Sequence, residues 1–158
     1  MRYTLSVLVQ NRPGVLSRVT GLISRRGFNI DSLAVSTTED ESLSRMTIIV
    51  NADEVSFEQI KKQLNKLVSV YKIQDLTETG AIERELVLFK VTSEPERRHE
   101  VIEICDLFRA KVVDVGTTAL TIEATGTQSK LDALENLLRS YGIQQLTRTG
   151  KIAMARGN

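Results

Sequence analysis

The segment best suited to bind a ligand is the run QNRPGVL at residues 10–16. Proline is preorganised for the first turn of a helix, and glycine has no side chain to block the approach to the backbone. We therefore predict that free N–H groups around residues 14–16, at the positive end of a helix dipole, bind a carboxylate or phosphate. Asn11 adds an amide oxygen for an ammonium group, as in a zwitterionic amino acid. From these residues alone, a simple turn and helix start is the alternative interpretation.

Other residue types that could carry chemistry are scarce. Among 158 residues there is one cysteine, Cys105, and one histidine, His99, so we expect no intrachain disulfide and no Cys/His metal site. The formal net charge is +1 and aromatic residues make up 4%, which disfavours nucleic-acid binding. The apolar runs are far shorter than the roughly 18 residues of a membrane helix, and the N-terminus lacks a signal-peptide pattern. We expect a cytoplasmic protein that binds neither nucleic acid nor membrane.

An internal repeat indicates how these residues are positioned. Residues 64–80 (LNKLVSVYKIQDLTETG) align without gaps with residues 134–150 (LENLLRSYGIQQLTRTG), and the identities include Thr79-Gly80 and Thr149-Gly150. The shared pattern is an apolar helical stripe followed by a strand and a turn. The sequence therefore predicts two copies of one structural unit.

Apolar periodicity predicts the order βαββαβ in the first copy. The first strand is followed by a helix that stops at Gly27, and Gly21 inside that helix is expected to allow close packing against a neighbour. Strands at 29–37 and 43–51 form a hairpin. Asp53 caps the second helix, and a strand follows at 71–77. The apolar face of the second helix is predicted to comprise Phe57, Ile60, Leu64, Leu67 and Val68.

The second copy is predicted to repeat this order. Its helices are expected at 95–109 and 128–139, and its strands at 85–92, 111–115, 118–125 and 141–147. The fold class is α+β, with two tandem ferredoxin-like βαββαβ units at residues 1–79 and 80–158. Both helices of such a unit lie on one face of an antiparallel sheet. The uncovered face and the small size of each unit predict that sheets pair, within the chain or in a dimer.

Three N-terminal blocks resemble the ACT domain of the small regulatory subunits of acetohydroxyacid synthase, also called acetolactate synthase. The blocks are NRPGVLSR at 11–18, RGFNIDSL at 26–33 and LSRMTI at 43–48. The similarity continues through FRAKVVDV at 108–115 and GTQSKLDA at 126–133, so it covers essentially the whole chain. The motif Asn-x-Pro-Gly alone would mark any ACT domain, whereas the three blocks together are specific to this family.

The resemblance implies a non-catalytic subunit that activates a large catalytic subunit and makes it sensitive to feedback inhibition by valine. Residues 1–79 would be the ACT domain, and the protein would be a homodimer. Thiamine diphosphate, Mg and FAD are expected only in the catalytic partner, with no cofactor in this chain. The family places the effector between two ACT domains, lined from one subunit by Asn11, Gly14, Val15 and Leu16 and from the other by Asn29 and Ile30.

Three alternatives compete with this interpretation. A free-standing amino-acid sensor would use the same site but act on another enzyme. An acylphosphatase-like enzyme would use Arg12 and the loop around Gly14 to hold a phosphate. RNA binding on the sheet would need aromatic side chains, and the predicted third strand has none at residues 44–50. For Asn29, a plain turn residue at the start of a strand is the alternative to a ligand contact.

Overall fold

The computed structural model describes residues 1–78 and 80–157. These residues form two compact units. The first comprises Met1–Ile82 together with the segment that begins at Lys151, and the second comprises Glu83–Gly150. Among the described residues, no helix has both the length and the apolar character that crossing a membrane requires.

The first unit has the predicted order of strands and helices. Its antiparallel strands lie in the order β2-β3-β1-β4. The elements are β1 (Arg2–Gln10), α1 (Val15–Arg25), β2 (Asn29–Thr37), β3 (Leu43–Asn51), α2 (Glu54–Asn65) and β4 (Val70–Asp75). Alternate residues of β1 pack against both helices, so α1 and α2 cover one face of the sheet. The central residues of this core include Leu5, Val7, Val19, Ile23, Phe57 and Ile60.

The second unit repeats this architecture, with strands in the order β6-β7-β5-β8. Its elements are β5 (Ile82–Thr92), α3 (Arg98–Leu107), β6 (Lys111–Val115), β7 (Ala119–Gly126), α4 (Gln128–Arg139) and β8 (Ile143–Arg148). Its core is built in the same way from alternate strand residues and one face of each helix, and its centre includes Phe89, Val101, Ile122, Leu131 and Leu134. The predicted α+β fold with a repeated βαββαβ unit is confirmed.

Three local predictions were wrong. The apolar face of α2 does not include Val68, which is 88% exposed because the helix ends at Asn65 and the chain turns away. Helix α3 begins at Arg98 rather than near 95, because residues 94–97 form a turn closed by the Arg97 N–H donating to the Glu94 carbonyl. Gly21 provides no close packing, since a Cβ built there would have no neighbour within 4 Å among the described residues.

The chain after the second unit returns to the first unit. Strand β9 (Ile152–Met154) lies against β1, and Ala153 is buried. The Lys151 N–H donates to Ser32 Oγ at 3.2 Å, and Arg156 Nε donates to the Gly80 carbonyl at 2.6 Å. The compact units therefore differ from the predicted division into residues 1–79 and 80–158, since the segment from Lys151 packs with the first unit. Thr79, at the predicted boundary, and Asn158 lie outside the described residues.

Candidate functional site

A tight turn connects β1 to α1. Gly14 has φ +87° and ψ −14°, and the Val15 N–H donates to the Arg12 carbonyl at 3.3 Å. These values describe a type II turn with Pro13 and Gly14 at its two central positions, the second of which needs the positive φ that glycine adopts freely. Pro13 precedes the helix, which starts at Val15, so its fixed φ serves the turn.

The turn leaves backbone N–H groups at the start of α1 available to a ligand. No side chain among the described residues caps the helix at Gly14. The N–H groups of Gly14, Leu16 and Ser17 make no hydrogen bond to any described residue. Of the three groups expected at residues 14–16, only that of Val15 is occupied. The free N–H groups lie at the positive end of the helix dipole, which favours an anion there.

Asn11 is held in place by the connection between β2 and β3. Its backbone N–H donates to the Ser42 carbonyl at 2.8 Å, and its Nδ2 donates to the Glu41 carbonyl at 2.9 Å. Its Oδ1 makes no hydrogen bond to the described part of the chain. The connection is itself braced by Asp40, whose Oδ1 accepts from Ser42 Oγ at 2.7 Å and from the Ser42 N–H at 3.0 Å. These bonds, chiefly the one from the hydroxyl, lower the pKa of Asp40.

A cavity of about 320 Å³ opens beside this turn. Three of the predicted residues line it, namely Asn11, Val15 and Leu16, whereas Gly14 shapes the turn without lining the cavity. The side chain of Val15 is mostly buried in the core, and that of Leu16 is 40% exposed. The remaining walls come from the ends of β1 and β2, from Arg12 and from the start of β3, and they consist of Val9, Gln10, Arg12, Val35, Ser36, Thr37, Ser44 and Met46.

Asn29 and Ile30 lie far from this cavity within one chain. Strand β2 pairs with β3 so that Asn29 is opposite Asn51 and Thr37 is opposite Ser44. Asn29 is therefore separated from the cavity end of β2 by about 27 Å, at roughly 3.4 Å per residue. Its Nδ2 donates to Asp31 Oδ1 at 2.7 Å, and Ile30 packs against the core of the first unit. A single chain does not bring the two predicted groups of residues together.

Sequence reasoning missed the second wall of the cavity. The hairpin of β2 and β3 was predicted with the correct bounds, and Thr37 pairs with Ser44 at its closed end. What could not be predicted is that this end of the hairpin lies beside residues 10–12. That proximity follows from the pairing of Gln10 with Leu43 in neighbouring strands, which is a non-local contact.

Two family models together match nearly the whole chain. A model described as the AHAS small subunit-like ACT domain matches residues 5–72, and one described as the small subunit of acetolactate synthase matches residues 84–157. The chain is also 52% identical over 158 residues to a probable acetolactate synthase small subunit of Archaeoglobus fulgidus, covering 100% of this chain and 99% of that protein. The chain belongs to the acetolactate synthase small subunit family.

Further members of the family agree with this assignment. The acetolactate synthase small subunit of Mycolicibacterium smegmatis is 54% identical over 155 residues, which cover 98% of this chain and 91% of that protein. The crystal structure of the acetolactate synthase small subunit from Thermotoga maritima superimposes with a TM-score of 0.91 at 40% identity, covering 100% of this chain and 99% of that one. Membership in this family supports a regulatory role and favours the small-subunit interpretation over the acylphosphatase-like alternative.

Proposed function

We propose that this chain binds valine in its ACT domain, activates the large catalytic subunit of acetolactate synthase and makes that subunit sensitive to feedback inhibition. Thiamine diphosphate, Mg and FAD would be bound by the catalytic partner. The observation that carries the proposal is the cavity beside the β1–α1 turn, where unpaired backbone N–H groups and a free amide oxygen lie next to apolar side chains.

The chemistry of this cavity suits a small apolar amino acid. The ligand carboxylate would accept hydrogen bonds from the free N–H groups of Gly14, Leu16 and Ser17, as anions do at helix N-termini. The ligand ammonium would donate to Asn11 Oδ1. An aliphatic side chain of three or four carbons would then contact the apolar part of the lining, to which Val35 and Met46 belong.

Pairing of two chains through β2 would complete the site with Asn29 and Ile30. Strand β2 is an edge strand of its sheet, so one side of its backbone is free to pair with another strand. A two-fold axis through the middle of β2 makes the two copies antiparallel. Asn29 of one copy then lies opposite Thr37 of the other, at the rim of the cavity. The same symmetry produces two equivalent sites in a homodimer.

A ligand shared between two subunits couples binding to assembly. Valine would stabilise the dimer in the arrangement that closes the site. If that arrangement changes how the dimer contacts the catalytic subunit, the catalytic subunit must in turn change the affinity for valine by the same factor. Valine affinity should therefore differ between the free chain and its complex with the catalytic subunit.

Reconstitution with the catalytic subunit tests the function. Acetolactate formation by the purified large subunit is measured alone, with this chain, and with this chain plus valine. We expect stimulation by the chain and loss of that stimulation as valine is added. A chain that neither binds the large subunit nor changes its rate would contradict the proposal.

Calorimetry on variants tests the site itself. Asn11→Ala removes the proposed acceptor of a charged donor, which should weaken valine binding about tenfold or more. The matched control is Asn65→Ala, since Asn65 is exposed at the end of α2 and makes no side-chain hydrogen bond to the described residues. Equal valine affinity in both variants would refute the assignment of Asn11 while leaving the regulatory role to be judged by reconstitution.

A further inference from the structure

Strand β2 is an edge of the first sheet that is open to pairing. Proteins usually protect such edges with proline, lysine or very short strands. Strand β2 has nine residues and contains neither proline nor lysine. Its one charged side chain, Asp31, is already paired with Arg2, whose Nε lies 3.0 Å from Asp31 Oδ2. A β-bulge near Asp31 leaves residues 32–37 in regular register with β3, so most of the strand presents a regular edge.

Two arginines precede β2, and we call them the basic end. Arg25 is the last residue of α1 and Arg26 follows it, and both are exposed. Arg25 Nε donates to the Gly21 carbonyl at 3.3 Å, whereas the Arg26 guanidinium makes no hydrogen bond to the described residues. Neither arginine forms an ion pair with a described residue. The basic end therefore carries two positive charges that are not neutralised within the described part of the chain.

Three carboxylates follow β2, and we call Glu39, Asp40 and Glu41 the acidic loop. All three are exposed. Asp40 accepts hydrogen bonds within the loop, whereas the carboxylates of Glu39 and Glu41 make no ion pair or hydrogen bond to the described residues. Arg12 lines the same cavity as Thr37 but forms no ion pair with the loop. Three carboxylates against this one guanidinium leave a net charge of −2, which complements the basic end.

The two-fold arrangement proposed above brings these oppositely charged segments together. Because Asn29 of one copy lies opposite Thr37 of the other, the residues that precede β2 in one copy lie beside those that follow β2 in the other. We propose that the basic end of each copy forms ion pairs with the acidic loop of the other copy, at both ends of the paired β2 strands. This inference rests on the proposed pairing of two chains through β2. A second copy fits this surface because one chain supplies both complementary charges at symmetry-related positions.

The interchain ion pairs also act on the site proposed for valine. The Glu41 carbonyl accepts from Asn11 Nδ2 at 2.9 Å, and the Ser42 carbonyl accepts from the Asn11 N–H at 2.8 Å. A loop held by the arginines of the other copy keeps both carbonyls in place, and with them Asn11 Oδ1. Arg25 and Arg26 are therefore positioning residues, which act through the acidic loop and do not touch the ligand.

Reversing the charges in two separate variants tests this pairing. The basic-end variant is Arg25→Glu, Arg26→Glu, and the acidic-loop variant is Glu39→Arg, Glu41→Arg. Each variant alone places like charges at both ends of its homodimer, and we expect the dimer dissociation constant to rise about tenfold in analytical ultracentrifugation. A heterodimer of the two variants has opposite charges at both ends again. Native mass spectrometry of an equal mixture should therefore show more heterodimer than random pairing gives.

Matched controls separate this effect from a general change in charge or folding. Lys62→Glu, Lys66→Glu reverses two exposed cations on α2 and at its end, outside both segments, and should dimerise like the wild-type chain. In about 1 M salt, where the Debye length is about 3 Å, the preference for the heterodimer should decrease. The circular dichroism spectrum of each variant shows that it is folded.

The outcomes distinguish the ion pairs from the proposed function on which they rest. If the wild-type chain dimerises but the two variants mix at random, the interchain ion pairs are wrong and the dimer remains. A wild-type chain that stays monomeric would overturn the pairing through β2 as well. Valine affinity, measured by calorimetry, should fall in each variant alone and recover in the mixture. Equal affinity in all these samples would refute the positioning role of the arginines while leaving the valine site itself in place.

Discussion

Two glycines near the start of the chain should respond oppositely to the same substitution. Gly14 has φ +87°, and a Cβ built there meets no atom of the described residues within 4 Å. Gly14→Ala therefore introduces backbone strain without a steric clash, at a cost of about 1–2 kcal/mol. Gly21 lies inside α1, and its Cβ would also meet nothing within 4 Å. Gly21→Ala should stabilise the chain by about 0.5–1 kcal/mol, because alanine has the higher helix propensity.

Urea unfolding followed by circular dichroism measures this difference. Because the chain has two compact units, hydrogen exchange of peptides from α1 assigns the change to the first unit. We expect exchange in α1 to be faster in Gly14→Ala and slower in Gly21→Ala than in the wild-type chain. Valine affinity should fall only in Gly14→Ala, since only that substitution disturbs the turn bearing the free N–H groups. Stability changes of the same sign in both variants would refute the reasoning.

Side chains in both units give further tests. Leu134→Ala should cost about 2–5 kcal/mol in thermal or urea unfolding because Leu134 is fully buried, whereas Leu137→Ala, on the same helix and 46% exposed, should cost much less. The Ser56 N–H donates to Asp53 Oδ1 at 2.7 Å, and this bond is the main reason that the pKa of Asp53 is lowered. Asp53→Ala removes this acceptor. The variant should therefore be less stable than the wild-type chain at about pH 7, and this loss of stability should shrink as the pH falls below about 4. Urea midpoints at the two pH values measure the change. Burial raises the pKa of the Cys105 thiol to about 11, so iodoacetamide should alkylate it far faster in denaturant than in the native chain; equal rates would contradict its burial.

Local patterns were sufficient to predict most of the fold. Strands β2 and β3 and helix α4 have the predicted bounds because polar connections, glycines and caps mark their ends. Asp53 caps α2 as predicted, with the Ser56 N–H donating to its carboxylate. The end of α2 was misplaced because no glycine or proline follows Asn65, so the apolar spacing continues through Val68 beyond the helix. Strand β9 has three residues, too few to show a period, and was not predicted.

The candidate site was predictable only in part, because some of its contacts join residues that are distant in sequence. Residues 10–16 predict an anion site because proline and glycine determine the turn whatever surrounds it. The orientation of Asn11 depends on carbonyl groups of Glu41 and Ser42, which are distant in sequence. A second cavity of the first unit, lined by Tyr3, Glu54, Phe57 and Asp75 among others, was not predicted at all. Its residues come from β1, α2 and the end of β4, and no spacing along the chain connects them.

The return of the chain to the first unit affects the order in which the protein can fold during synthesis. The second unit, Glu83–Gly150, is continuous in sequence, whereas the first unit also needs the segment from Lys151. The ribosome must therefore release every residue of the second unit before Ala153 can pack in the first. Domains generally fold in the order in which they are synthesised. Here the N-terminal unit is completed after the unit that follows it, because Ala153 cannot pack in the first unit while residues 83–150 are being made.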